Sequence, residues 1–143
     1  MRELLTKSGW FAGRNIDSEA LEQVLIDEGY EIFSVARSFF KEFGFLRIEF
    51  NDVDTKKNII LCIDARSASF KSVIDAYSRH CGKRMIPVAE VPYYDMTICI
   101  AEDGDFYGGN DDWLLELGHD FYETLFNLVS GKKITPEMVK LDD

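Results

Sequence analysis

The apolar residues of this chain change their spacing at Gly44, and that change restricts the possible folds more than any other feature. Before it, apolar residues recur every three or four positions: Ala20, Leu21, Val24 and Leu25, then Val35, Ala36, Phe39, Phe40 and Phe43. After it, "FLRIEF" (45–50) alternates around Leu46, Ile48 and Phe50. A 3.6-residue period buries one stripe of a helix, and a period of two buries one face of a strand, so neither segment can play the other's part.

The pattern predicts helices over 2–8, from Asp17 or Ser18 to about Glu28, and over 34–43, with Gly9, Gly29 and Gly44 as stops. Strands follow at 45–50 and 59–64, a helix at 70–82, and a strand at 85–91 whose Pro87 implies an edge or an irregular start. Residues 95–109 read as a hairpin turning at Asp103-Gly104, and "WLLELG" (113–118) as one more strand or a turn. A helix capped by Asp120 ends at Gly131, and "TPEMVKL" (135–141) reads as a short last helix. The expectation is an α+β fold in a single domain over 1–143, with N-terminal helices, a mostly antiparallel central sheet and C-terminal helices.

A chain of 143 residues is long enough to bury a core without a disulfide or metal staple. Three cysteines at wide spacing make no disulfide framework; Cys62 and Cys99 lie in apolar runs and read as small buried hydrophobes. His80-Cys81 lacks the partners of a metal site, so no metal and no cofactor are expected. The longest apolar run, Ile59 to Ile63, is too short to span a bilayer, and no basic-then-apolar leader opens the sequence. A cytoplasmic home without membrane contact is expected.

Charge is segregated. Residues 1–84 carry 13 Lys or Arg against 13 Asp or Glu, and residues 132–143 carry three of each. Residues 85–131 hold ten acids and no Lys or Arg, so the whole net charge of −10 arises there. Such a field repels nucleic acid and attracts basic proteins. No nucleophile elbow, phosphate loop or complete calcium loop is present; in "DGDFYGGNDD" Tyr107 falls where an oxygen ligand is needed. Aromatics are interleaved with the acids, giving a candidate partner-binding set of Tyr93, Tyr94, Glu102, Asp103, Asp105, Tyr107, Asp111, Asp112, Trp113 and Glu116. The competing reading places Phe106 and Trp113 in the core and makes the tyrosines ordinary strand residues.

Four stretches together resemble the third immunity-protein family of the SUKH superfamily. They are "SGWFAGRNID" (8–17), "SFFKEFGFLRIEF" (38–50), "RMIPVAEVPYYDMTICIAEDGDFYGG" (84–109) and "ELGHDFYETLFNLVSG" (116–131). Ala89 departs from the glycine expected after the Pro-Val pair. The resemblance implies an α+β antitoxin of a bacterial polymorphic toxin system. It would be a non-enzyme that binds a cognate toxin, basic in charge and nuclease-like in chemistry. A regulatory adaptor holding a cellular protein, or a hydrolase or small-ligand binder on the tyrosine-rich face, are the rival expectations. Within "SGWFAGRNID" the resemblance implies scaffold roles. Gly9 ends the first helix, Trp10 anchors the corner and Gly13 permits a turn. Arg14 pairs with a carboxylate or carbonyl, and Asp17 caps the next helix.

Overall fold

The computed structural model describes residues 1–64 and 70–141. Three helices come first: α1 (Arg2–Lys7), α2 (Glu19–Asp27) and α3 (Ser34–Phe43). Strands β1 (Arg47–Asn51) and β2 (Asn58–Cys62) precede α4 (Lys71–Cys81). Then come β3 (Met85–Val91), β4 (Met96–Ala101), β5 (Phe106–Asn110), β6 (Trp113–Gly118), α5 (Phe121–Ser130) and β7 (Glu137–Met138). The strands form one antiparallel sheet in the order β1-β2-β3-β4-β5-β6-β7, each beside its neighbour in sequence.

Burial follows position in the sheet. Edge strand β1 alternates exposed and buried residues, as a strand with one wet face must. All six residues of β4 are buried, because helices cover both faces at the centre. On one face Tyr77 of α4 lies over Gly109, where an added Cβ would meet its ring at 2.9 Å. Phe106, three residues away and so pointing the other way, joins an aromatic cluster from α3 and α5. Its ring is 5.2 Å from Phe39, and Phe43 lies 4.7 Å from Phe121.

Residues 8–17 form the corner that ties α1 and α2 to the end of α3. Gly9 takes a left-handed φ of +108° and stops α1. Trp10 is buried, and its indole N–H donates to the Glu42 carboxylate at 3.0 Å. The Arg14 guanidinium donates to the carbonyls of Glu42 at 2.7 Å and Gly44 at 2.9 Å, which end α3. Asp17, one residue before the N-cap Ser18, accepts the Glu19 N–H at the start of α2 at 2.9 Å.

Three expectations are refined. Residues 135–141 are not a helix: β7 pairs Met138 with Trp113 and Glu137 with Leu114, and the Val139 N–H donates to the Asp112 carbonyl at 2.7 Å. The apolar spacing Ile134, Met138 and Leu141 suits a helix as well, but β6 offers an unpaired edge, and Pro136 just before the strand costs no ladder bond. "WLLELG" is a strand. Pro87 marks no edge, since β3 has β2 and β4 on its two sides; the irregularity is a register shift between Pro87 and Ala89.

Candidate partner-binding surface

A meander sends its turns alternately to opposite ends of the sheet, so residues close in sequence are parted by a strand length, roughly 17 Å for five residues. The ten candidate residues are divided in this way. Tyr93, Tyr94, Asp111, Asp112 and Trp113 gather at one end, on the β3–β4 and β5–β6 connections. Glu102, Asp103 and Asp105 lie on the β4–β5 hairpin at the other end, with exposed Glu116 toward the same side and Tyr107 buried in the core at 4% exposure.

The first end is built on left-handed turn residues. Asp95 (φ +52°) closes the 3-10 turn Pro92–Tyr94, and Asp111 (φ +48°) turns β5 into β6. The Asn110 amide donates to Asp95 at 2.7 Å, which links the two turns. Fully buried Tyr77 donates its hydroxyl to the Asp111 carbonyl at 3.0 Å and pins the second turn to α4. The β1–β2 turn joins the same end: the Tyr94 hydroxyl donates to Asp52 at 2.6 Å. The Asp52 carboxyl is brought down to about 2, first by the Thr55 backbone N–H and then by Tyr94. Burial and Asp52 together raise the Tyr94 phenol. Beside these turns a groove of about 290 Å³ is lined by Tyr94, Met96, Trp113, Leu115, Leu128 and Ile134. Tyr93 stands exposed at 53%, its ring edge-on to Tyr94 at 5.8 Å.

The hairpin end differs in charge. Met85 pairs with Ala101, so the residues just before β3 meet those just after β4. Lys83 binds Asp103 at 2.7 Å and Asp105 at 3.0 Å, above the Tyr107 ring. Arg84 binds Glu102 at 3.0 Å and Glu31 at 2.8 Å. His119 meets Asp105 at 2.9 Å, and that hydrogen bond raises the imidazole. Burial pushes the Asp105 carboxyl up, but His119 and Lys83 outweigh it and hold it low. A stretch without cations in sequence is therefore supplied with them in space at this end. Asp111, Asp112 and Glu116 make no ion pair among the described residues.

Sequence reasoning missed Asp52, Met96 and Leu115 at the turn end and the cations Lys83 and Arg84 at the hairpin end. Antiparallel register, which puts residue 84 across from residue 102, was the signal available for the last pair. Cys62, Cys81 and Cys99 are free thiols, and burial pushes Cys99 up to about 12, far from a reactive thiolate. Among the described residues no group of three His, Cys, Asp or Glu is placed to hold a metal ion, and no helix is long and apolar enough to cross a membrane.

The arrangement offers contact surface and charge. A family profile described as SUKH-3 immunity protein matches residues 1–131. The chain belongs to the SUKH-3 immunity protein family. Comparison with curated proteins and with solved structures yields no significant match. The SUKH-3 match includes the corner at 8–17, the sheet through β6 and α5, and stops just before the segment that forms β7. Membership gives the chain an immunity role and implies a cognate toxin as its partner.

Proposed function

We propose that this SUKH-3 protein neutralises its toxin by stoichiometric blocking, and that the toxin is basic, in the manner of a nuclease whose groove must hold phosphates. The observation that carries the reading is the pairing of unneutralised carboxylates with accessible aromatic rings at the turn end. Asp111 and Asp112 have no ion-pair partner among the described residues, and Tyr93, Tyr94 and Trp113 share their end of the sheet. Carboxylates there would take the place of phosphate charge, while Tyr93 and Trp113 would supply anchor area. Glu102, Asp103, Asp105 and Glu116 would add to the long-range field, with less effect at contact where Lys83 and Arg84 already answer them.

The test measures association with the cognate toxin domain at low and high salt, beside growth rescue on co-expression. Reversal of Asp111 and Asp112 to Lys should slow association by roughly tenfold or more and flatten its salt dependence. Reversal of Asp103 and Asp105 should slow it less. Unchanged association after the first pair of reversals would remove the turn end as the docking face.

A further inference from the structure

A second surface lies apart from the turn end. A groove of about 390 Å³ runs between α3, the start of α5 and the β4–β5 hairpin. Its floor is aromatic: Phe39, Phe43, Phe106 and Phe121 form a connected cluster, with Phe39 and Phe121 at 5.1 Å. Tyr122 forms one bank, 41% exposed, with its ring edge-on to Phe43 at 6.0 Å.

The rim is acidic, and none of the lining residues is Lys or Arg. Asp103 is already held by Lys83. Glu42 and Asp120 both line the groove and make no ion pair among the described residues; the nearby Arg2 guanidinium lies over the Trp10 ring at 5.8 Å. The Glu42 carboxylate accepts from two neutral donors, the Trp10 indole at 3.0 Å and the Tyr122 hydroxyl at 3.5 Å, while Arg14 binds only its backbone carbonyl. Asp120 is the N-cap of α5 and accepts the Glu123 N–H at 2.8 Å through one oxygen.

This combination selects its occupant by elimination. A neutral apolar group would strip water from two carboxylates and return nothing to them. An anion would be repelled. A cation on an apolar stem satisfies both the floor and the rim. Between the two basic side chains, the guanidinium is the better fit. Its flat face stacks on an aromatic ring, and its five donors can serve carboxylates on two banks at once. We propose that the α3–α5 groove docks an arginine side chain presented by a protein partner. The site is separate from the turn end and stands on its own chemistry, so its test needs no toxin.

The experiment titrates the full chain, isotopically labelled, with a capped Gly-Arg-Gly peptide while amide and aromatic NMR signals are followed. Gly-citrulline-Gly, the neutral isostere, is the control. The expected result is saturable shifts at Gly104, His119 and Tyr122 and at the rings of Phe43 and Tyr122, with the citrulline peptide roughly tenfold weaker. Tyr122→Leu and Glu42→Gln should each weaken binding by roughly threefold or more. The second keeps an acceptor for Trp10, and unchanged chemical shifts elsewhere would verify that each variant is folded. Asp111→Asn should leave the titration unchanged. Equal binding of citrulline, shifts centred on residues 111–112, shifts spread over every acidic residue, or no saturable shift would each overturn the proposal.

Discussion

Replacing Arg14 with Met tests whether the corner at 8–17 is a scaffold that holds the end of α3. The guanidinium donates to two carbonyls that leave the helix unpaired, at Glu42 (2.7 Å) and Gly44 (2.9 Å). A hydrogen bond from a charged donor contributes about 1.5–3 kcal/mol. Glu42 is half-buried, so water can replace its bond and the low end applies; Gly44 is buried and its carbonyl would be left unsatisfied. The sum is about 3 kcal/mol, with only a small further term for the lost cation at the helix C-terminus. For a domain of this size that lowers Tm by roughly 10 °C. Arg14→Lys keeps the charge but reaches one carbonyl, so it should lose about half as much. Urea unfolding measures both, and an unchanged m-value would show that the denatured state is the same. Arg37→Met serves as the control: its ion pair with Glu22 lies at the surface and should cost about 1 kcal/mol or less. If Arg14→Met costs no more than Arg37→Met, the corner does not hold α3, and the account of this stretch is wrong.

Gly109→Ala should destabilise by about 2–3 kcal/mol, because its Cβ would meet the Trp113 carbonyl at 2.8 Å and the Tyr77 ring at 2.9 Å. Gly13→Ala meets nothing within 4 Å and should cost only the left-handed backbone penalty, about 1 kcal/mol; denaturant midpoints would compare the two. The Asp52 carboxyl lies lower in the fold, at about 2, than in the unfolded chain, so its contribution is complete above the unfolded value and is lost as pH falls toward 2. Asp52→Asn should therefore flatten the acid limb of stability against pH, and an unaltered limb would contradict the Tyr94–Asp52 link. Lys83→Met should cost about 1–2 kcal/mol, since it leaves Asp103 and Asp105 facing each other. Adding Asp103→Asn should recover part of that loss in a double-mutant cycle.

Most of the fold was legible because period and punctuation agreed. Each of the five α-helices among the described residues ends within a residue or two of its expected stop, and the Asp103-Gly104 hairpin lies where turn chemistry put it. The failure at 135–141 is instructive. Thr135-Pro136 is a helix-start pair in isolation, yet the segment is captured by the free edge of β6, a tertiary partner that local propensity does not encode. The site was legible only in part for a related reason. Residue types marked the acids and aromatics as candidates, but whether two of them share a surface depends on which turns share an end. Tyr93 and Asp112 are 19 positions apart and lie at one end; Asp105 and Asp111 are six apart and lie at opposite ends. Tyr107 pairs across from Glu116 yet is buried, because strand alternation carries its ring under α4 rather than into solvent.

Two ranges of electrostatics then act on any partner. Far from contact only the sum matters, and a charge of −10 draws basic proteins from every direction. Within a Debye length, about 8 Å at physiological salt, the partner meets individual residues. There the hairpin end offers ion pairs already made, and each must be broken before its carboxylate can serve another cation. Asp111 and Asp112 demand no such exchange, nor do Glu42 and Asp120 in the α3–α5 groove. A carboxylate with no cation of its own recovers, on docking, the attraction that a paired one has already spent within the fold. On the proposed docking, the residues that would decide orientation are for that reason not the densest acids in the sequence, Glu102 to Asp105, but those whose charge the fold leaves unanswered.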